Sequence, residues 1–137
     1  MILLRRQLEL TGYDEPNLMG ISAATAAYSQ GAQWFDDIKE YIRKNILFIE
    51  EYFTANCPKI KVVKSQGTYL VWLDFTAYTN LSGKEIADLI LNKAKVWLDD
   101  GTMFGPEGDK FERINAATPR RILQKALENI VGVFGNL

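Results

Sequence analysis

The chain of 137 residues contains no histidine and a single cysteine, Cys57. Without histidine it lacks the commonest general base and the commonest metal ligand, so a Ser-His-Asp triad is excluded. One cysteine cannot form an internal disulfide, and in a chain without histidine it does not indicate a zinc site. Any chemistry must therefore depend on Lys, Tyr, Asp or Glu side chains, or on a cofactor. The unpaired thiol favours a reducing, cytoplasmic setting.

Excess charge and long apolar runs are also missing. Sixteen basic residues balance seventeen acidic ones, and the net charge of -1 gives no electrostatic footprint for nucleic acid. No apolar run is long enough to cross a membrane, and the first residues lack the order of a signal peptide. Hydrophobic residues make up 47% of the chain and charged residues 24%, which is the composition of a globular domain with a real core.

The first half of the chain predicts three helices. A short one runs from Ile2 to Leu10 and stops at Gly12, an alanine-rich one covers residues 18–30, and a long amphipathic one covers residues 32–55. The second of these has almost no charge, so it would need cover nearly all round. Nothing else in the sequence obviously provides that cover.

The second half predicts the order strand, strand, helix, strand, strand, helix. The first helix opens at the capping box Ser82-Gly83-Lys84-Glu85, and the last begins after Thr118-Pro119 with Thr118 as its N-cap. We therefore predict an α/β (α+β) fold with two layers, in which a mixed sheet carries helices on one side. The predicted strands cover residues 60–64, 68–75, 95–98 and 111–116.

Two segments carry the strongest functional signal. One is residues 66–75, Gln-Gly-Thr-Tyr-Leu-Val-Trp-Leu-Asp-Phe, and the other is residues 111–120, which follow the pattern Phe-x-Arg-x-Asn-x-Ala-x-Pro-Arg. Together they resemble the carboxy-terminal part of fold-type-I pyridoxal-phosphate enzymes, the class I/II aminotransferase family. The similarity is greatest to the cystathionine β-lyase-like C–S lyases. It covers essentially the whole chain, but only about the last third of the family's length.

The resemblance implies a domain organisation. Residues 1–30 would be a remnant of the large cofactor-binding domain, residues 31–56 a long interdomain helix, and residues 57–137 the small domain of the aspartate-aminotransferase fold. It also implies pyridoxal 5'-phosphate as cofactor, an amino acid as substrate, and a homodimer in which the missing large domain is a partner of this chain.

The resemblance also assigns site residues. Arg113 matches the arginine that binds the substrate α-carboxylate, and a planar guanidinium suits that contact. Gly67 and Thr68 match a turn close to the substrate, and Asn17 matches a segment that approaches the partner subunit's cofactor site. Residues 102–108 match a Phe-Gly segment near the mouth of the active site.

The residues by themselves leave plainer interpretations open. Arg113 fits a solvated arginine on the polar face of a strand, and Gly67-Thr68 fits an ordinary turn into a strand. Asn17 fits a helix cap, and residues 102–108 fit a surface loop.

The family's cofactor lysine belongs to the large domain, upstream of the segment that this chain resembles. Lysines 39, 44, 64, 84, 93 and 95 stand in stretches that do not match its setting. The expected parent is a PLP-dependent C–S β-lyase or aminotransferase, and this chain alone is expected to be inactive, with no catalytic residue of its own. The alternative is a stand-alone, non-catalytic α/β module that binds a protein partner or an amino-acid-like ligand.

Overall fold

The computed structural model describes residues 2–12 and 16–137, which fall into two compact units, Met1–Ile38 and Lys39–Leu137. Among the described residues, no helix combines the length and the apolar character needed to span a bilayer.

The first unit is helical. Helix α1 spans Ile2–Thr11 and ends where Gly12 adopts a positive φ of 60°. Helix α2 spans Leu18–Gln30, and the side chain of Asn17 caps it by accepting from the N–H of Gly20 at 2.7 Å. Helix α3, Ala32–Asn56, begins in this unit and continues into the second.

The second unit is built on a four-stranded sheet in the order β1-β2-β4-β3. Strand β1 is Lys61–Val62, β2 is Leu70–Asp74, β3 is Asp99–Asp100 and β4 is Phe111–Asn115. Helix α4, Gly83–Asn92, follows β2, and helix α5, Arg120–Phe134, follows β4. Two short 3-10 helices, Gly101–Phe104 and Pro106–Gly108, connect β3 to β4.

The sheet packs its helices on one face. Val71, Leu73 and Ile114 point into the core, while the residues that alternate with them along β2 and β4 stay half-buried or exposed. The same core contains the apolar stripes of α3, α4 and α5, so the predicted two-layer α/β class is confirmed. Its helical members include Ile49, Phe53, Ile86, Ile90, Leu123, Leu127, Ile130 and Phe134.

The prediction of a mixed sheet is wrong in one respect, because every pairing between the described strands is antiparallel. The crossover through α4 does make β2 and β3 run in the same direction, as a strand-helix-strand order favours. However, β4 inserts between them and runs antiparallel to both. Whether neighbouring strands are parallel or antiparallel depends here on which strands lie side by side in the sheet, and not on their order along the chain.

Two local predictions are also corrected. Residues 95–98 do not form a strand, because Lys95 turns the chain with a φ of 58° and Val96 donates its N–H back to the carbonyl of Ile90 at 3.1 Å. Thr118 does not cap α5, whose N-cap is Pro119 and has no side-chain hydrogen bond. Instead, the carbonyl of Thr118 accepts from the side chain of Asn45.

Candidate functional site

Arg113 lies in the middle of β4, between Trp72 of β2 and Asp99 of β3 in the register. Its neighbours Glu112 and Ile114 are buried towards the helices, so alternation directs Arg113 to the opposite, open face of the sheet. Cross-strand partners share a face, and Trp72 and Asp99 therefore lie beside it.

The guanidinium of Arg113 is held by a carboxylate. Its Nε and Nη2 both donate to Oδ2 of Asp99, at 3.1 Å and 2.7 Å. The Arg113 side chain is 23% exposed and that of Asp99 is 43% exposed, so the ion pair is partly shielded from water and partly in contact with it. The Nη1 group has no acceptor among the described residues, which leaves the end of the guanidinium available to a second anion.

Two aromatic rings hold the same guanidinium. Its Cζ lies 4.3 Å from the ring centroid of Phe104 and 5.9 Å from that of Trp72. The two rings contact each other edge-on, with centroids 5.3 Å apart. Cation–π contact of this kind restrains an arginine and partly desolvates it. A solvated arginine on a polar strand face therefore does not describe Arg113.

Phe104 reaches Arg113 because the segment between β3 and β4 is folded rather than loose. Gly101 and Gly108 lie so close that a Cβ on either would collide with the backbone carbonyl of the other. Asp100 accepts from the N–H of Thr102 at 2.8 Å and thereby caps the first 3-10 helix. Residues 102–108 therefore lie largely on the surface, as the plainer interpretation expects, but they form two short 3-10 helices.

The opposite face of β4 carries a buried carboxyl that the sequence does not single out. Glu112 is 3% exposed, and burial is the main cause that raises its pKa to about 7, helped by the charges of Asp100 and Asp99. Alternation alone could have indicated it, since Glu112 occupies an inward position between Phe111 and Arg113.

The turn that follows β4 is tied to α3 by contacts that sequence reasoning missed. The Nδ2 of Asn45, which is fully buried, donates to the carbonyls of Ala116 and Thr118 at 2.8 Å and 2.9 Å. Nearby, Arg120 donates from Nη2 to the carbonyl of Lys44 at 2.8 Å. These contacts fix where β4 ends relative to α3.

The other predicted site residues lie apart from Arg113. Gly67 and Thr68 are exposed and form a turn before β2, in which Oγ1 of Thr68 accepts from the N–H of Leu70. The paired part of β2 begins only at Leu70, opposite Asn115, and Thr68 has a positive φ of 63°, so both residues lie outside the ladder that contains Arg113. Asn17 belongs to the first unit, where its side chain caps α2.

The lysines of the described residues lie almost entirely on the surface. Every lysine is exposed except Lys110, which is half-buried and donates from Nζ to the carbonyl of Tyr78 at 3.3 Å. No lysine among residues 2–12 and 16–137 is enclosed by this chain. The described residues therefore offer one candidate carboxylate site, centred on Arg113.

Comparison with known proteins places this arrangement in a family. A family profile described as aminotransferase class I and II matches residues 16–130. Cystathionine beta-lyase PatB of Bacillus subtilis is 40% identical over 90% of this chain and 32% of its own length. Protein MalY of Escherichia coli is 32% identical over 90% of this chain and 31% of its own length.

Solved structures agree. A PLP-bound protein of Clostridium difficile 630, assigned as an aminotransferase, is 37% identical with a TM-score of 0.88 over 96% of this chain and 34% of its own. Cystalysin of Treponema denticola, whose crystal structure contains pyridoxal 5'-phosphate, is 32% identical with a TM-score of 0.83 over 88% of this chain and 30% of its own. The chain thus spans about a third of the length of these relatives, and it belongs to the class I and II aminotransferase family of pyridoxal-phosphate enzymes.

Proposed function

We propose that this chain is the carboxylate-binding part of a PLP-dependent C–S β-lyase or aminotransferase that acts on amino acids. Arg113 is the observation that carries the proposal, because its guanidinium is oriented by Asp99, Phe104 and Trp72 on the open face of the sheet. Family membership and the PLP-bound relatives support the class of enzyme.

Arg113 binds the α-carboxylate of the substrate through its two Nη groups. Asp99 uses Nε and one N–H of Nη2, so the outer edge of the guanidinium still offers two parallel donors. Asp99 thereby orients the guanidinium, and the rings of Phe104 and Trp72 exclude water from one side of it. A carboxylate held in this way has a defined orientation before any bond changes.

The remaining site residues follow from the resemblance. Gly67 and Thr68 would border the substrate at the turn that leads into β2, where both residues are exposed. Asn17 would face the partner subunit's cofactor site in a homodimer, and its Oδ1 already caps α2 by accepting from the N–H of Gly20.

The cofactor lysine would come from the part of the enzyme that corresponds to the other two thirds of the relatives' length. Pyridoxal phosphate, when bound there, supplies an electron sink for the chemistry at Cα of the substrate. A C–S β-lyase releases a thiol, pyruvate and ammonia, whereas an aminotransferase passes the amino group to a second substrate. Both reactions use the same carboxylate anchor, so Arg113 does not discriminate between them.

The test begins with the gene. The reading frame upstream of the chain should encode a Ser-x-x-Lys segment suited to the cofactor, and the complete product should release pyruvate from L-cystathionine or transfer its amino group to a 2-oxo acid. An upstream region without such a segment, together with a product inactive in both assays, would favour the alternative of a non-catalytic binding module.

A further inference from the structure

A second concave surface lies on the edge of the sheet next to α5. It is a groove of about 880 Å³, and neither Arg113 nor Asp99 lines it. One wall is the segment 95–98, which forms no strand, and the other parts are the end of β4 and one side of α5. We call it the edge groove, and its lining includes Lys95, Trp97, Asn115, Arg121, Leu123 and Lys125.

The edge groove is apolar inside and basic at its rim. Ile114 and Leu123, at its floor, belong to the buried core. Three cationic side chains line it, Lys95, Arg121 and Lys125, against one acidic side chain, Glu128, which lies 3.9 Å from Lys125. Lys95 and Arg121 make no ion pair with any described residue, so the groove attracts negative charge.

The groove also exposes the edge of β4 at its last residue, Asn115. Ala116 donates its N–H to the carbonyl of Tyr69 at 2.8 Å, and hydrogen-bonded pairs alternate along an antiparallel ladder. Asn115 must therefore direct its backbone N–H and C=O away from β2, towards the groove. Strand β3 pairs with β4 only at Glu112 and Arg113, and no described residue hydrogen-bonds to the backbone of Asn115.

Trp97 stands at the edge of this opening with 87% of its surface exposed. A large aromatic side chain that is left in water beside a groove is a common contact for a bound peptide, since it supplies area at low entropic cost.

We propose that the edge groove binds an extended acidic polypeptide segment. The segment adds to β4 as a strand beside Asn115, beyond the two residues of β4 that pair with β3. The backbone of Asn115 would supply the main-chain hydrogen bonds, and alternate side chains of the segment would face the apolar floor and the basic rim. The occupant is acidic because the rim has an excess of positive charge. It is extended because an extended backbone can pair with the N–H and the C=O of the same strand-edge residue at once.

The experiment uses the whole chain, labelled with ¹⁵N, and a short capped peptide of alternating glutamate and valine as the probe. Saturable binding is expected, with a downfield shift and slower hydrogen exchange of the Asn115 amide. The same peptide with its backbone nitrogens methylated should bind at least about tenfold more weakly, since it cannot pair with the strand edge. A capped lysine–valine peptide should not bind.

Charge reversal tests the rim. The double variant Lys95→Glu with Arg121→Glu should weaken binding of the glutamate–valine peptide roughly tenfold or more. The matched control, Lys64→Glu with Lys84→Glu, changes the net charge equally at exposed positions outside the groove and should bind as the wild type does. Circular dichroism confirms that both variants are folded.

Three results would overturn the proposal: absence of saturable binding, equal weakening by both double variants, or binding that is unaffected by N-methylation of the probe. Because Arg113 takes no part in these measurements, their outcome is independent of the function proposed above.

Discussion

At the scale of single residues, the buried carboxyl of Glu112 makes stability depend on pH. Its pKa in the folded chain, about 7, lies above the ordinary value of 4.5, chiefly because burial disfavours the charged form. The folded state therefore binds the proton more tightly than the unfolded state does. This stabilisation is complete below about pH 4.5 and is lost as the pH rises towards 7, at a cost of about 3 kcal/mol.

Glu112→Gln should remove that dependence. Urea unfolding at pH 5 and pH 8 measures it, and the variant should lose less stability between the two than the wild type does, by about 2–3 kcal/mol. Glu107→Gln, which changes an exposed carboxyl in the same region, serves as control and should keep the slope of the wild type. If Glu112→Gln lost as much stability between pH 5 and pH 8 as the wild type does, Glu112 would not be the cause of this pH dependence.

The hydrogen bonds of Asn45, which connect α3 to the turn after β4, should contribute to the free energy of unfolding. Asn45→Ala leaves the carbonyls of Ala116 and Thr118 without their donor, and the free energy of unfolding should fall by about 2 kcal/mol. Asn56→Ala removes a similar contact, to the carbonyl of Tyr52, from an exposed position and should cost less than about 0.5 kcal/mol. Equal losses in the two variants would show that Asn45 has no special role.

The sequence could predict that Arg113 lies on a strand, but not which side chains surround it. The motif and the strand pattern put Arg113 on β4, which the structure bears out. Its partner Asp99 depends on the register between β3 and β4, and that register depends on β4 lying between β2 and β3. Neither is encoded in local periodicity, so the pairing of Asp99 with Arg113 and the contact of Phe104 could not be predicted.

At the scale of elements, α2 predicts self-association. It has no buried residue, and Tyr28 is 95% exposed among other apolar side chains such as Leu18, Met19 and Ile21. Apolar surface of this extent favours contact with another apolar surface. Light scattering should therefore show oligomers of the chain, and Met19→Lys with Tyr28→Lys should shift them towards the monomer.

Leu91→Lys is the control, because Leu91 is an exposed apolar residue on α4 and its replacement should leave the oligomers unchanged. A strict monomer at high concentration, with strong hydrogen-exchange protection of residues 18–30, would contradict the prediction.

Local signals predicted the helices better than the strands. The capping box at Ser82 and Glu85 forms as predicted, since both of its hydrogen bonds lie within four consecutive residues. Residues 95–98 carry branched and aromatic side chains typical of a strand, yet the bond from Val96 to Ile90 and the turn at Lys95 direct the chain elsewhere. Strand formation depends on partners that a local pattern does not contain.

At the scale of the whole molecule, the chain should not bind pyridoxal phosphate as a complete enzyme of its family does. Incubation with the cofactor, reduction with borohydride and mass spectrometry of peptides should give scattered, partial modification, because the described lysines have no enclosing pocket. The complete gene product, treated in the same way, should be modified at one lysine outside this chain. Stoichiometric modification of a single lysine within the chain would refute this prediction.

The most direct test of the proposed function is the effect of Arg113 on catalysis by the complete enzyme. Loss of one partner of a desolvated charge pair costs roughly 2–5 kcal/mol, so Arg113→Ala should lower kcat/KM by on the order of 10² while the protein remains folded. Arg113→Lys should also be poor, since an ammonium cannot make the same two-pronged contact.

The control is Arg43→Ala, which removes an exposed arginine that pairs with Glu40 on α3 and should leave kcat/KM unchanged. The account predicts a large loss for both Arg113 variants and none for the control. A value of kcat/KM for Arg113→Ala within about twofold of the wild type would contradict it and would leave Arg113 as a structural partner of Asp99.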